Sequence, residues 1–243
     1  MSEKPIINSI QARIIANLEE IISKSLPYVN KIKWITVGVQ VEGDSVVGLG
    51  LYHCGLKVLP DSIYELKSLR ELNLRWNRLM ILPESISELK SLKTLDLFSN
   101  KLKSLPRTFG GLEELQSLEL YNNQLTALPD SFGNLKSLKT LILRWNKLST
   151  LPESFGKLKS LQELNLRKNQ LTALPKSFEQ LNSLQKLDLS YNQLTILPKS
   201  ILKLKSLQTI DLGGNKFKSL PESFWRMENL RTIRIHKNPW KRE

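Results

Sequence analysis

The sequence predicts an α/β solenoid, with short strands stacked into one parallel sheet and a helix and β-hairpin capping its N-terminal end. Three observations predict it. Leu-Pro pairs place proline at Pro60, Pro83, Pro106, Pro129, Pro152, Pro175, Pro198 and Pro221, each 23 residues after the last. Asparagine keeps the same period at Asn77, Asn100, Asn123, Asn146, Asn169, Asn192, Asn215 and Asn238. Within each period the apolar residues first alternate with polar ones and then recur every three or four positions. Alternation marks a strand with one buried face, and the wider spacing marks a curved return segment. A fixed period of this length means stacked copies of one supersecondary unit.

One unit reads Leu69-x-x-Leu72-x-Leu74-x-x-Asn77-x-Leu79-x-x-Leu82-Pro83-x-x-Ile86-x-x-Leu89. Leu72 and Leu74 belong to the strand, and Pro83 fixes φ where the chain turns back. A lone unit buries too little apolar surface to offset the ordering of its backbone, so the units must share a core. Nine strands stacked about 4.8 Å apart would span roughly 40 Å. This pattern resembles the leucine-rich-repeat family from about Val46 to the C-terminus. The Leu-Pro followed by Ile or Phe is similar to the intracellular class of that family, found in scaffold proteins, Ras-group-like proteins and bacterial and archaeal repeat proteins. The resemblance implies a horseshoe with a concave parallel β-sheet. It also implies a ladder in which each Asn side chain satisfies backbone groups in the turn after its strand. Counting back 23 residues from Asn77 reaches Cys54, and cysteine is the family's usual substitute there. Cys54 is expected to be a buried ladder residue rather than a reactive thiol. His53 is expected on the opposite face from it, because adjacent strand residues alternate.

A solenoid needs caps over its apolar ends. Residues 5–26 carry apolar side chains at helical spacing and stop at Pro27, which predicts a capping amphipathic helix. Trp34 to Val41, a polar turn over Glu42–Ser45 and Val46 to Leu51 predict a hairpin feeding the first repeat. At the other end Leu230, Ile233, Ile235 and Asn238 form a ninth strand unit without its return segment. Asn238-Pro239-Trp240 resembles the start of the family's C-terminal cap without its cysteines, which reads as a cytosolic ending or a shortened chain. The expected organisation is a cap over 1–45, eight 23-residue repeats over 46–229 and a partial ninth over 230–243.

The net charge is +13, and residues 1–45 contribute none of it because five bases balance five acids there. An excess of this size suits an acidic protein, a nucleic acid or an anionic membrane surface. No run of 18 apolar residues is present for a membrane span. Spaced apolar residues and charges near the start argue against a secretory signal. Cys54 is the only cysteine, so no intrachain disulfide forms, which places the chain in the cytoplasm.

The residues between and after the strand leucines vary from unit to unit, and in the resembling fold they face the concave side. Their columns bring Tyr52, Arg75, Trp76, Phe98, Tyr121, Arg144, Trp145, Arg167 and Tyr191 to one surface. Other units carry Ser, Gly, Asn or Lys at these positions, so the core does not require aromatics there. Trp, Tyr and Arg are enriched at protein-binding hot spots. The sequence therefore predicts a non-catalytic, monomeric protein-interaction module; the alternative is that the rings and arginines only pack on each other. By family analogy the partner is a small GTPase or another signalling protein. The second reading is an electrostatic binder of nucleic acid or acidic surfaces, and the third is a targeting arm of a larger enzyme. Nucleic acid is disfavoured by Asp96, Glu119, Asp188 and Asp211 in the concave centre. Lys67, Lys90, Lys136, Lys159 and Lys205 share one position and read as a solvated rim. Ile63, Ile86, Phe109, Phe132, Phe155, Phe178, Ile201 and Phe224 read as an internal stack, with Tyr64, Leu202 and Trp225 exposed beside it.

No cofactor, metal-ligand cluster, phosphate loop or nucleophile motif is expected. The only histidines, His53 and His236, lie at opposite ends of the repeat array. Asp96 and Glu119 are neighbours across adjacent strands, and on an open sheet face they are expected to lack the enclosure that tunes catalytic carboxylates.

Overall fold

The computed structural model describes residues 7–240. Its helix α1 (Ser9–Ile22) packs Ile14, Ile15, Leu18 and Ile22 onto the first repeat. Asn8 caps it by accepting the Gln11 amide at 3.0 Å, and Ser23 ends it in the left-handed conformation. The helix is shorter than the apolar spacing of 5–26 suggests. Glu19 accepts the Leu26 amide at 2.6 Å and the Val29 amide bonds to the Val39 carbonyl, so the chain before Pro27 is tied back to the helix and the chain after it to the hairpin. Pro5 and Ile6 lie outside the described residues. The buried Gln11 side chain accepts the Val46 amide at 2.7 Å, which pins the helix to the sheet.

The hairpin is β1 (Val37–Glu42) and β2 (Ser45–Leu51), antiparallel, with Trp34 in the loop before it rather than in the strand. Then come β3 (Glu71–Asn73), β4 (Thr94–Asp96), β5 (Ser117–Glu119), β6 (Thr140–Ile142), β7 (Glu163–Asn165), β8 (Lys186–Asp188), β9 (Thr209–Asp211) and β10 (Thr232–Arg234). The ten strands lie in chain order in one sheet, and β2 to β10 are parallel. Each return segment is a short 3-10 helix that begins after the proline of a Leu-Pro pair, as at Glu84–Glu88 after Pro83.

Between sheet and return helices runs one continuous core. Leu72, Leu74, Leu79, Ile86 and Leu89 of one unit are essentially inaccessible, and the same positions repeat along the chain. Phe109, Phe132, Phe155 and Phe178 stack face to face with centroids 6.0, 6.1 and 6.3 Å apart. Gly110, Gly133 and Gly156 follow three of them because a Cβ there would strike the serine carbonyl of the next coil.

The asparagine ladder joins coils as well as closing turns. Asn146 Nδ2 donates to Leu143 O at 3.0 Å in its own coil and to Leu120 O at 2.9 Å in the preceding one, while its Oδ1 accepts the Leu125 amide at 3.0 Å. The same three bonds recur from Asn100 to Asn238. Cys54 holds the first ladder position but has no preceding coil to join. It is therefore half-buried rather than buried, with Sγ 3.5 Å from Tyr52 O. Burial still pushes its thiol pKa up, against the charge of Lys24.

At the far end Trp240 stacks on Phe217 at 6.4 Å and donates from Nε1 to Ile235 O at 3.2 Å, while Leu230, Ile233 and Ile235 are half-buried. Rim lysines do more than face solvent: Lys90 and Lys159 donate to Gly111 O and Gln180 O at the end of the next coil's helix. Tyr64 and Trp225 are exposed, whereas Leu202 is half-buried against the core.

Removing a ladder side chain leaves several buried backbone groups unpaired. Asn146→Ala is expected to cost about 2–4 kcal/mol, read from urea denaturation. Asn238→Ala, at a half-exposed ladder position, should cost about 1 kcal/mol, because water replaces the lost bonds. Equal losses at the two sites would show that burial does not set the cost of breaking the ladder.

Candidate functional site

The concave surface is shaped by how each coil leaves its strand. After the second strand leucine the chain runs one residue further and then enters the left-handed region immediately before the ladder asparagine. His53, Trp76, Ser99, Asn122, Trp145, Lys168, Tyr191 and Lys237 all have φ between 51° and 58°, and Gly214 takes the same place with φ 64°. This turn is needed to bring the asparagine under the strand ends, and it is a conformation that costs a side-chain-bearing residue about 1–2 kcal/mol relative to glycine. It also changes the relation of His53 to Cys54. Both lie beyond β2, so the left-handed turn separates them, not strand alternation.

On this scaffold the sequence-derived residues form a chain of rings and cations. Trp76 meets Phe98 edge-on at 5.7 Å, Phe98 stacks on Tyr121 at 4.6 Å, and Tyr121 meets Trp145 at 6.5 Å. Arg75 lies over Phe98 at 4.4 Å, Arg144 over Tyr121 at 3.9 Å and Arg167 over Tyr191 at 4.2 Å. The self-packing alternative is thus realised, yet Trp76 and Trp145 remain 47% and 45% exposed. Tyr52 stands apart, touching His53 at 6.0 Å rather than the main row.

Further residues, which the sequence pattern did not single out, join the row. Lys168 bridges its two parts, 3.7 Å from the Trp145 ring and 5.9 Å from Tyr191. Lys237 donates to the Tyr191 hydroxyl at 3.2 Å, which holds that phenol's pKa below its usual value. His236 meets the Tyr191 ring edge-on at 6.4 Å. All three occupy the same variable columns, so register alone could have found them. Trp34, 5.9 Å from Arg75, could not be found that way, because it lies in the cap. The cap loop crosses the start of the concave face: Lys33 O accepts Asn73 Nδ2 at 2.7 Å, and a Cβ on Gly50 would collide with Thr36. A cleft of about 120 Å³ opens there between Trp34 and Asp96.

Asp96 and Glu119 stand opposite each other in the β4–β5 register. Arg75 bonds Asp96 at 2.9 Å, and each carboxylate also accepts the amide two residues on, Phe98 or Tyr121.

The family description "Leucine-rich repeat region" matches residues 49–144, "Leucine rich repeat" matches 149–194 and "Leucine Rich repeats (2 copies)" matches 182–224. A leucine-rich-repeat protein of Leptospira interrogans has a similar structure, at 39% sequence identity and a TM-score of 0.75, over 78% of this chain and 48% of its own. The chain belongs to the leucine-rich-repeat family. YopM of Yersinia enterocolitica is also similar, at 34% identity and a TM-score of 0.65, over 79% of this chain and 38% of its own. The chain therefore spans less than half the length of both proteins. No curated protein sequence matches it with significance. Leucine-rich-repeat domains generally mediate protein–protein interaction and are typically non-catalytic. Among the described residues no helix is long and apolar enough to cross a membrane.

The leucine-rich-repeat face corrects one expectation. The Asp96–Glu119 pair is enclosed enough to be tuned. Burial raises both pKa values, outweighing Arg75 at Asp96, and the Asp96 charge helps push Glu119 up to about 7. The folded state thus binds the Glu119 proton more tightly than the unfolded chain does. Stability should fall as pH rises from the ordinary glutamate value of 4.5 to about 7 and stay at the lower level above it. Glu119→Gln keeps an acceptor for Tyr121 and removes the charge. It is expected to raise stability at pH 8 by ~2 kcal/mol and to change it little at pH 4. Parallel urea midpoints for both proteins across that range would contradict this account.

Proposed function

We propose that this leucine-rich-repeat chain is a non-catalytic interaction module that takes a partner protein on its concave face. The contact surface is the row formed by Arg75, Trp76, Phe98, Tyr121, Arg144, Trp145, Arg167 and Tyr191, with Tyr52 at its edge. One observation carries the reading. Trp76 and Trp145 sit at left-handed backbone positions with nearly half of each side chain exposed. Neither burial nor backbone preference favours tryptophan there, since the same position elsewhere holds Ser99, Asn122 or Gly214. An outlier of this kind supports a functional demand on the side chain. Rings already held by neighbours also lose little freedom on binding, which favours affinity.

A cytoplasmic signalling partner, such as a small GTPase, suits the family analogy and the single unpaired thiol. The competing reading, a purely electrostatic binder, is favoured by the net charge of +13. The two differ in what they require. Wild type and the Trp76→Ala/Trp145→Ala variant are compared in pull-downs from source-cell lysate at two salt concentrations. The concave-face reading expects a protein retained by wild type at both salts, with the variant weakened by at least ~2 kcal/mol in a direct binding assay. Material held equally by both proteins, and only at low salt, would instead assign binding to net charge.

A further inference from the structure

The concave face is electrostatically divided. In its first half acids outnumber cations, with Arg75 bonded to Asp96 and Glu119 beside them. In the second half Arg144, Arg167, Lys168 and Lys237 gather around Trp145 and Tyr191. None of the four has a carboxylate oxygen within 4.0 Å among the described residues. The acids nearby offset only part of this charge. Glu163 pairs with Lys186 at 3.5 Å, buried Asp211 faces Arg234 at 4.0 Å, and Asp188 is joined to Arg167 through Ser190, whose hydroxyl accepts from Arg167 at 2.8 Å and donates to Asp188 at 2.6 Å. The excess positive charge rests on Lys168, Lys237 and Arg144, the last also acting on Glu119.

Ring faces hold these cations in place without neutralising them, because a quadrupole carries no net charge. Three of the four converge on one ring: Arg167 lies 4.2 Å, Lys237 5.6 Å and Lys168 5.9 Å from the Tyr191 centroid. Like charges this close repel, and an anion placed among them relieves that repulsion. Gly214 keeps the platform flat, since a Cβ there would press on the Tyr191 ring. From β6 to β10 the cluster spans four strand spacings of about 4.8 Å, roughly 19 Å, the length of an extended segment of about six residues.

We propose that strands β6 to β10 form a subsite for an acidic segment of the partner protein, about six residues long, with its carboxylates among Arg144, Arg167, Lys168 and Lys237 and its backbone over Trp145 and Tyr191. The proposal rests on the concave-face reading and adds the chemistry of the segment bound. A nucleic acid is the poorer fit. Its evenly spaced phosphates would continue past the cluster toward Glu119 and Asp96, whereas a protein can confine its acids to one short stretch.

The test is fluorescence anisotropy with the full chain and fluorescein-labelled hexaglutamate, with hexathymidylate as the competing anion. Arg167→Glu/Lys168→Glu is compared with Lys136→Glu/Lys205→Glu, which changes net charge equally but on the rim. Circular dichroism checks that both variants are folded. Hexaglutamate is expected to bind wild type, to weaken at least ~tenfold with the first variant and to weaken less than ~threefold with the second. Equal weakening by both variants, or no binding by wild type, would overturn the subsite. So would hexathymidylate binding as tightly as hexaglutamate and lost with the same concave variant. A protein partner lost from Trp76→Ala/Trp145→Ala but kept by Arg167→Glu/Lys168→Glu would leave the concave-face reading standing and remove only the acidic-segment proposal.

Discussion

The constraint on which the rest of the structure depends is the pairing of buried backbone groups between successive coils. A strand of three residues followed at once by a turn leaves amides and carbonyls that no hydrogen bond within the coil can satisfy. The asparagine side chain supplies two donors and an acceptor at one point, and it spends one donor and the acceptor on the coil before it. Each unit is thereby completed by its neighbour. This explains why the 23-residue spacing is kept so strictly: one inserted residue would move the amide from its acceptor. It also explains why the first ladder position, lacking a neighbour, tolerates Cys54.

The same constraint sets where chemistry can vary. Core leucines and ladder asparagines are committed, and the left-handed residue before each asparagine is committed in its backbone but free in its side chain. That position therefore carries Trp, Lys, Ser, Asn, Tyr or Gly without changing the coil. Together with the residue before it, it forms the ridge where the rings and cations meet. A rigid sheet holds these side chains at fixed separations, so the rings stack across coils and the arginines lie over them. Such packing and a binding role are compatible, because a surface already ordered gives up little entropy when it meets a partner.

Charge on this surface follows the same logic. Parallel strands in register place identical columns side by side, so two acids one repeat apart, such as Asp96 and Glu119, must face each other. Partial burial, with the Asp96 charge added to it, raises the Glu119 pKa to about 7. Cations in neighbouring columns are forced together likewise, and there the aromatic faces hold them.

The sequence by itself determined the solenoid, its period, the direction of the sheet, the buried stack of Phe109 to Phe178 and the columns that line the concave face. It could do so because a linear repeat makes each coil's neighbour its own next copy, so local pattern and tertiary contact coincide. Where that identity fails, only the tertiary structure decided. The helix stops at Ile22, short of its apolar pattern, because Glu19 and the hairpin capture the chain that follows. Trp34 reaches Arg75 because the cap loop folds across the first strands, a contact between segments that share no period. Cys54 is half-buried because its missing neighbour is a matter of position in the stack rather than of residue type. The tuning of Glu119 also needed the structure, since spacing shows that two acids are adjacent but not how much water remains between them.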